Sequence, residues 1–375
     1  MKLDDCLVIG GGVVGLSIAY ELSGRGMRVR VVDQNAMGRE ASWAGAGILP
    51  AAVVDPDHPI YDALCQLSFN LHAAWSQRLV DQTGIDTGYR PCSELSFART
   101  EDQHSSLDAE VAALRRRGIE VNELAVDQLL QLEPALSGLN EGNLKACYQI
   151  PAAAQLRNPR HLKALVAGCR QQGVQFSENT KVQSIDAQSG RIQRLQTSSG
   201  TLQADRYCFA AGAWSGDLLS QLGCRLPIKP IRGQIALLKL PETRLQSVVY
   251  EKRRYMVPRD DGRLLVGSTL EDVGFDKRTT VSAITDLLSF ATSVMPELAT
   301  VEVEKCWAGL RPCTPDRMPY LGRLPNMDNA FVAAGHFRWG LYLSPATAVL
   351  MSELMRDERP QIDLQTFRLE RSTTN

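Results

Sequence analysis

The residues best placed to do chemistry lie close to the start of the chain. Gly10-Gly11-Gly12-Val13-Val14-Gly15 is a GxGxxG pattern with one extra glycine, between an apolar run at 6–9 and a helical pattern at 13–23. In such a turn Gly10 permits the tight bend, Gly12 lets the backbone approach a pyrophosphate, and Gly15 lets the helix pack close to the sheet. The helix start then offers N–H groups and a partial positive charge to the anion. Asp33 follows a second apolar run at 27–32, at the spacing of an acid that accepts hydrogen bonds from a ribose. The six-residue pattern is weak by itself, and a glycine-rich turn with a surface aspartate is the bland alternative. A strand before it, a helix after it and a correctly spaced acid favour the nucleotide reading, but they do not separate NAD from FAD.

No second set of reactive groups competes with this one. The five histidines, His58, His72, His104, His161 and His336, form no Ser–His–Asp or Cys–His pattern. The nine cysteines include no CxxC pair, so nothing supports a zinc site or a disulfide framework and no metal is expected. Scattered thiols in odd number suit a reducing compartment.

The elements that must position these residues follow from periodicity. The head reads as a βαβ unit. Helical patterns follow at 60–83, 101–117 and 159–172, the last with Pro159 near its start and Gly173 beyond its end. Residues 174–209 read as short strands with turns at Ser189-Gly190 and Ser199-Gly200, and residues 228–268 as a further set of strands. Helices are expected at 280–295 and 345–356, and the polar end at 371–375 is expected to fray. A chain that opens as α/β, turns β-rich and returns to α/β suggests a discontinuous nucleotide domain with a second domain inserted into it.

Composition narrows the class. A chain of 375 residues can bury one large core or two ordinary ones. Its formal net charge of -1 recruits neither nucleic acid nor an anionic membrane. The run Arg115-Arg116-Arg117 reads as a solvated helix face. With no signal-peptide pattern and no apolar stretch of spanning length, the expected location is the cytoplasm.

The segment Gly38-Arg39-Glu40-Ala41-Ser42-Trp43-Ala44-Gly45-Ala46-Gly47-Ile48 is nearly free of bulk, which lets a backbone lie flat against a ligand. With the head, Cys208-Phe209-Ala210-Ala211-Gly212-Ala213-Trp214-Ser215 and Ala334-Gly335-His336-Phe337-Arg338-Trp339-Gly340, it occurs in the order of the D-amino-acid oxidase superfamily, which the chain resembles over nearly its whole length. Tyr255-Met256-Val257-Pro258-Arg259, Gly262 to Thr269 and Gly309-Leu310-Arg311-Pro312 resemble the glycine oxidase branch, linked to thiamine biosynthesis.

The resemblance implies an α/β fold with a Rossmann-like FAD-binding domain of the glutathione-reductase type, from residues 1–80, 147–219 and 307–375. It also implies an inserted α+β substrate domain on an antiparallel sheet, from residues 81–146 and 220–306. By the same resemblance Val13, Val14, Asp33 and Gln34 contact the ADP half of FAD, and Ala41, Ser42, Ala46, Gly47 and Ile48 line the pyrophosphate and flavin. Val182 meets the adenine through its backbone, and His336, Phe337, Arg338, Trp339, Gly340, Leu341 and Tyr342 wrap the pyrimidine edge of the flavin. Arg311 matches the arginine that holds a substrate carboxylate, Arg338 a second substrate-side arginine, and Tyr255 a tyrosine near the carboxylate. Arg338 has a rival structural role beside the flavin, and Tyr255 could be an ordinary buried tyrosine.

The implied reaction is oxidative deamination of glycine or a similar small amino acid, with molecular oxygen as acceptor. The alternatives are a D-amino-acid or sarcosine-type oxidase or dehydrogenase with another acceptor, and a non-catalytic flavoprotein. A guanidinium fork suits the planar carboxylate of such a substrate. Asp33 stands where glutamate is more usual, while Leu270 and Trp339 depart from the branch and are expected to reshape the pocket. Alignment on Thr314-Pro315-Asp316 puts Gly309 where a related branch carries a flavin-linking cysteine, so noncovalent FAD is expected and Cys313 is read as an inert thiol. A homo-oligomer, often a tetramer, and a thiazole synthase partner belong to the same resemblance.

Overall fold

The computed structural model describes residues 3–53, 59–242 and 244–371; His58 and residues 372–375 lie outside them. The apolar run after the N-terminus forms the strand Asp4–Ile9, and the helix Val13–Gly24 leaves directly from the glycine turn. That helix is apolar on all sides, with Leu16, Ile18, Ala19, Tyr20 and Leu22 buried, because it lies between a sheet and other helices. The first sheet has six strands in the order Tyr320–Arg323, Ala330–Ala334, Ala204–Phe209, Asp4–Ile9, Val29–Val32 and Gln175–Ser177. All its pairings are parallel except the edge pair 320–323 with 330–334. Helices Pro59–Thr83, Asn158–Gln171 and Gly340–Met355 pack with the first helix over one face of this sheet, and residues Val182, Ile192 and Leu195 cover the other, so both faces of the parallel sheet are buried.

The second sheet has nine strands. Its main path runs Glu302–Cys313, Lys229–Lys239, Arg263–Gly267, Arg254–Pro258, Val248–Glu251, Arg90–Ala98, Ala146–Gln155 and Ile48–Leu49, with Asn122–Glu123 beside 146–155. It is antiparallel apart from the pair Val248–Glu251 with Arg90–Ala98, where the two separate excursions of the chain meet. Strands 146–155 and 302–313 run through the expected boundaries at 147 and 307 and carry the backbone from one layer to the other. A small antiparallel sheet, Val182–Gln188, Arg191–Thr197 and Gly200–Leu202, turns at Ser189-Gly190, both of positive φ. Helix Glu101–Arg116 is capped by Thr100, whose hydroxyl accepts from Gln103 N. Arg115 and Arg116 are exposed, as a solvated helix face requires, while Arg117 at the helix end is half-buried and pairs with Asp62.

One helix begins earlier than expected. Pro345 reads as a start signal, but the helix opens at Gly340 and Pro345 lies inside it. Proline there leaves carbonyls without their helical donors. Ser344 Oγ donates to the Leu341 carbonyl at 2.9 Å. From helix 59–83, Ser68 Oγ and His72 Nε2 donate to the Tyr342 carbonyl at 2.6 and 2.8 Å. Tertiary contacts thus stabilise a first turn that the local sequence disfavours.

Burial holds three histidines neutral: His72 is pushed down to about 4, and His161 and His336 to about 3, from 6.5. With the folded values depressed, the unfolded chain takes up protons first, so their contribution is present above pH 6.5 and is lost as pH falls towards those values. Three protons correspond to a slope of ~4 kcal/mol per pH unit within that window. Thermal unfolding followed on acidification from pH 6.5 should show a steep loss of stability; a flat melting temperature would contradict neutral burial.

Candidate active site

A cavity of about 750 Å³ lies between the two large sheets. At one end Gly10, Gly12, Val13 and Val14 present the start of the first helix. Gly10 has φ 114°, and a Cβ on it would lie 2.4 Å from the Ala210 carbonyl. Gly15 is the one sequence-predicted cofactor residue that does not line the cavity: a Cβ there would lie 2.0 Å from the Gly10 carbonyl, so it brings helix and turn together. Asp33 accepts from Gly11 N at 2.7 Å and from Asn35 N at 2.8 Å, and burial raises its carboxyl above the usual range. Each oxygen keeps a lone pair for a ribose hydroxyl. Gln34 and Val182 line the same end.

Residues 41–48 form the middle wall, with Ala41, Ser42, Ala46, Gly47 and Ile48 all on the cavity. Ser42 Oγ accepts from Val13 N at 2.9 Å, tying this wall to the helix start. Three side chains not singled out from sequence brace it. Asn158 Nδ2 donates to the Ser42 carbonyl at 2.7 Å, Arg259 Nη2 to the Ala46 carbonyl at 2.6 Å, and Trp307 Nε1 to the Ala44 carbonyl at 3.0 Å. Arg259 is buried, which lowers it to about 9. Arg259 ends the 255–259 motif and Asn158 precedes Pro159 at a helix start, but the wall contacts themselves are tertiary.

At the far end His336, Phe337, Arg338, Trp339, Gly340, Leu341 and Tyr342 line the cavity where helix 340–355 begins. That helix start directs N–H groups and a partial positive charge inwards. His336 Nε2 bonds to Thr347 Oγ1 at 3.1 Å.

Arg311 and Tyr255 both line the cavity from the second sheet. Arg311 Nη2 donates to Ser268 Oγ at 2.7 Å and Nη1 to the Thr269 carbonyl at 3.1 Å. Neither partner is charged, and burial lowers the guanidinium below its ordinary value. A Cβ on Gly233 would lie 2.2 Å from the Arg311 Nη atoms, and one on Gly267 would lie 2.7 Å from the Tyr255 ring. These two glycines make the room; Gly267 lies within the 262–269 motif, and no sequence motif marked Gly233. The segment 268–271 is held by a buried cluster. Arg232 donates to both oxygens of Glu271 at 2.9 and 3.2 Å and to Asp276 at 3.0 Å. Thr269 Oγ1 and Gln234 Nε2 donate to the same Glu271 at 2.8 and 2.9 Å. Leu270, expected to shape the pocket, is exposed and does not line it; Trp339 does.

The residues present fit FAD. The glycine turn, the flat wall 41–48 and the helix start at 340 form a backbone cradle along one cavity. Asn158 Oδ1, buried on the lining, has no hydrogen-bond partner among the described residues. A Cβ on Gly309 would lie 2.6 Å from Ala44 Cβ, which leaves no space for a linking side chain. Cys313 is not on the lining, and its thiol donates to the Thr314 carbonyl.

Comparison with known proteins agrees with this geometry. The family model for DAO, FAD dependent oxidoreductase, matches residues 5–354. The chain is 37% identical to a glycine oxidase of Pseudomonas aeruginosa over 95% of this chain and 96% of that one. It is 35% identical to the bifunctional protein ThiO/ThiG of Synechocystis sp. over 99% of this chain and 55% of that one. The crystal structure of glycine oxidase from Geobacillus kaustophilus superposes with a TM-score of 0.92 at 32% identity, covering 100% of both chains.

Gly233→Ala should displace the Arg311 guanidinium and weaken acetate binding about tenfold or more, without releasing the cofactor. Calorimetric titration with acetate and the visible spectrum check this; wild-type affinity would remove the packing constraint.

Proposed function

This chain belongs to the DAO family of FAD-dependent oxidoreductases, and from that premise we propose that it oxidises the C–N bond of glycine. The observation that carries the reading is Arg311: a partly buried guanidinium on the cavity with no carboxylate of its own, held by neutral partners. Its remaining N–H groups suit a planar carboxylate. Tyr255, packed against Gly267, limits the space beside that carboxylate, and Trp339 narrows the opposite wall. A small amino acid held this way turns its Cα–H towards the flavin, and orientation is the main work the protein does.

FAD, when bound, accepts a hydride from Cα and passes the two electrons to oxygen, giving hydrogen peroxide. The imine released hydrolyses to glyoxylate and ammonia. Among the described residues no carboxylate lines the substrate end, and burial lowers His336 to about 3, too weak a base for an ammonium; solvent suffices to take that proton. The cofactor is held noncovalently by Gly10, Gly12, Val13, Val14, Asp33, Gln34, residues 41–48, Val182 and residues 336–342. The similarity to glycine oxidases at 37% and 34% identity supports glycine as substrate. The likeness to a protein named ThiO/ThiG supports a thiamine-biosynthetic role with a thiazole synthase as partner; a homo-oligomer rests on the family resemblance alone. No helix among the described residues is long and apolar enough to cross a membrane.

One extra methylene is worth only ~1–3 kcal/mol of discrimination, so sarcosine and D-alanine should react more slowly than glycine rather than not at all. A peroxide-release assay across these amines checks the order. Arg311→Ala should raise KM for glycine about a hundredfold or more while FAD stays bound; unchanged kinetics would take Arg311 out of the site.

A further inference from the structure

After strand Arg263–Gly267 the chain crosses to helix Val281–Val294 along a segment tied at both ends to strand Lys229–Lys239. At one end Glu271 exchanges backbone hydrogen bonds with Arg232 at 2.9 and 3.0 Å, and the Arg232 guanidinium holds the carboxylates of Glu271 and Asp276. At the other, Thr280 N donates to Gln234 Oε1 at 2.8 Å. Between these ties two side chains leave the second sheet and reach the cofactor layer. The Phe275 ring packs on Trp214, with ring centroids 5.4 Å apart. Lys277 Nζ donates to both carboxylate oxygens of Glu40 at 3.1 Å. Trp214 and Glu40 both line the cofactor cavity, from separate stretches of chain: Trp214 follows strand Ala204–Phe209, and Glu40 precedes the wall 41–48. Phe275 and Lys277 do not line the cavity themselves. Residues 275–277 therefore run outside it and join one of its walls to another.

Neither contact is needed to hold the segment to its own sheet, which Arg232 and Gln234 already do. Phe275 is 46% exposed, so its ring covers Trp214 rather than filling a core. The Lys277–Glu40 pair is also open to solvent, with side chains 47% and 25% exposed, and such a pair is weak and sensitive to salt. Two weak contacts between layers suit a cover that stays closed most of the time and opens without unfolding either sheet. Lys277 also offsets the charge of Glu40, an acid on the wall of a cavity that takes a diphosphate. We propose that residues 272–279 are a strap over the FAD cavity, fastened by Phe275 on Trp214 and by Lys277 on Glu40, and that the cofactor leaves only when the strap opens. Phe275 and Lys277 act on the walls and not on the reacting atoms, so they retain the cofactor and take no part in the oxidation. The inference rests on FAD in this cavity and is independent of which amine is oxidised.

The experiment measures two rates on the holoenzyme. FAD release is followed by the rise of flavin fluorescence on dilution. Strap opening is followed by trypsin cleavage after Lys277, read from the fragment masses, because that ammonium enters a protease once it has left Glu40. Phe275→Ala should speed both rates about tenfold. Glu40→Gln, which removes the ion pair and the acid together, should speed both about threefold. Added salt should speed both in the wild-type protein, which needs no variant to fold, and do so less in Glu40→Gln. Cleavage that quickens while FAD release keeps its wild-type rate would overturn the strap, and so would release that quickens without cleavage, since the cofactor would then leave past a closed cover. Two unchanged rates would overturn it as well. Slower release from Glu40→Gln would do the same, by showing that the acid acts through repulsion of the diphosphate and not as a fastener.

Discussion

A guanidinium kept partly buried without an anion of its own is costly, and much of the second sheet is arranged around that constraint. Two carboxylates on the neighbouring segment, Glu271 and Asp276, form no ion pair with Arg311. Both are committed to Arg232, which is 4% exposed and takes both oxygens of Glu271. A well-formed buried pair is expensive to break, so it sequesters the acids and also fixes the segment whose Ser268 hydroxyl and Thr269 carbonyl hold Arg311. The Arg311 guanidinium stays without an ion-pair partner among the described residues, while these acids pair with Arg232.

The two large sheets divide the work. The parallel sheet and its helices present mainly backbone to the cofactor: a glycine turn and helix starts at 13 and 340. Backbone amides suit a phosphate and a flavin edge because they are oriented before the ligand arrives. The antiparallel sheet presents side chains, Arg311 and Tyr255, each seated over a glycine of a neighbouring strand. The wall 41–48 lies between, tied to the first helix through Ser42 and to the rest of the molecule through Asn158, Arg259 and Trp307. Cofactor cradle and substrate clamp therefore share one rigid boundary, which keeps their distance set.

Helix 340–355 shows how the layers support one another. Its first turn contains the pocket residues Gly340, Leu341 and Tyr342 and is weakened by Pro345. Ser344 Oγ serves the Leu341 carbonyl in place of the N–H that Pro345 lacks, and Ser68 and the buried His72 donate to the Tyr342 carbonyl beside it. A helix more than 250 residues away in sequence thus fixes the geometry at the far end of the cavity.

Several features could be read from the residue order alone because their physics is local. The turn at 10–15 needs small residues and a positive φ at Gly10, Asp33 must follow a strand at a set interval, and alternation and turn residues mark the strands of 174–209. The motifs around Arg311 and Arg338 pointed to a carboxylate and a flavin through resemblance. Other features required the folded chain. Gly233 and Gly267 have ordinary strand neighbours, and only the approach of Arg311 and Tyr255 across the sheet explains them. Asn158 and Arg259 reach carbonyls more than 100 residues distant. Leu270 could be judged a wall or an exposed side chain only once the strand ends were placed. The sequence by itself determined which backbone turns and which charged groups the site would contain; tertiary structure decided which charges were neutralised and which stayed open, because pairing depends on separation in space and not along the chain.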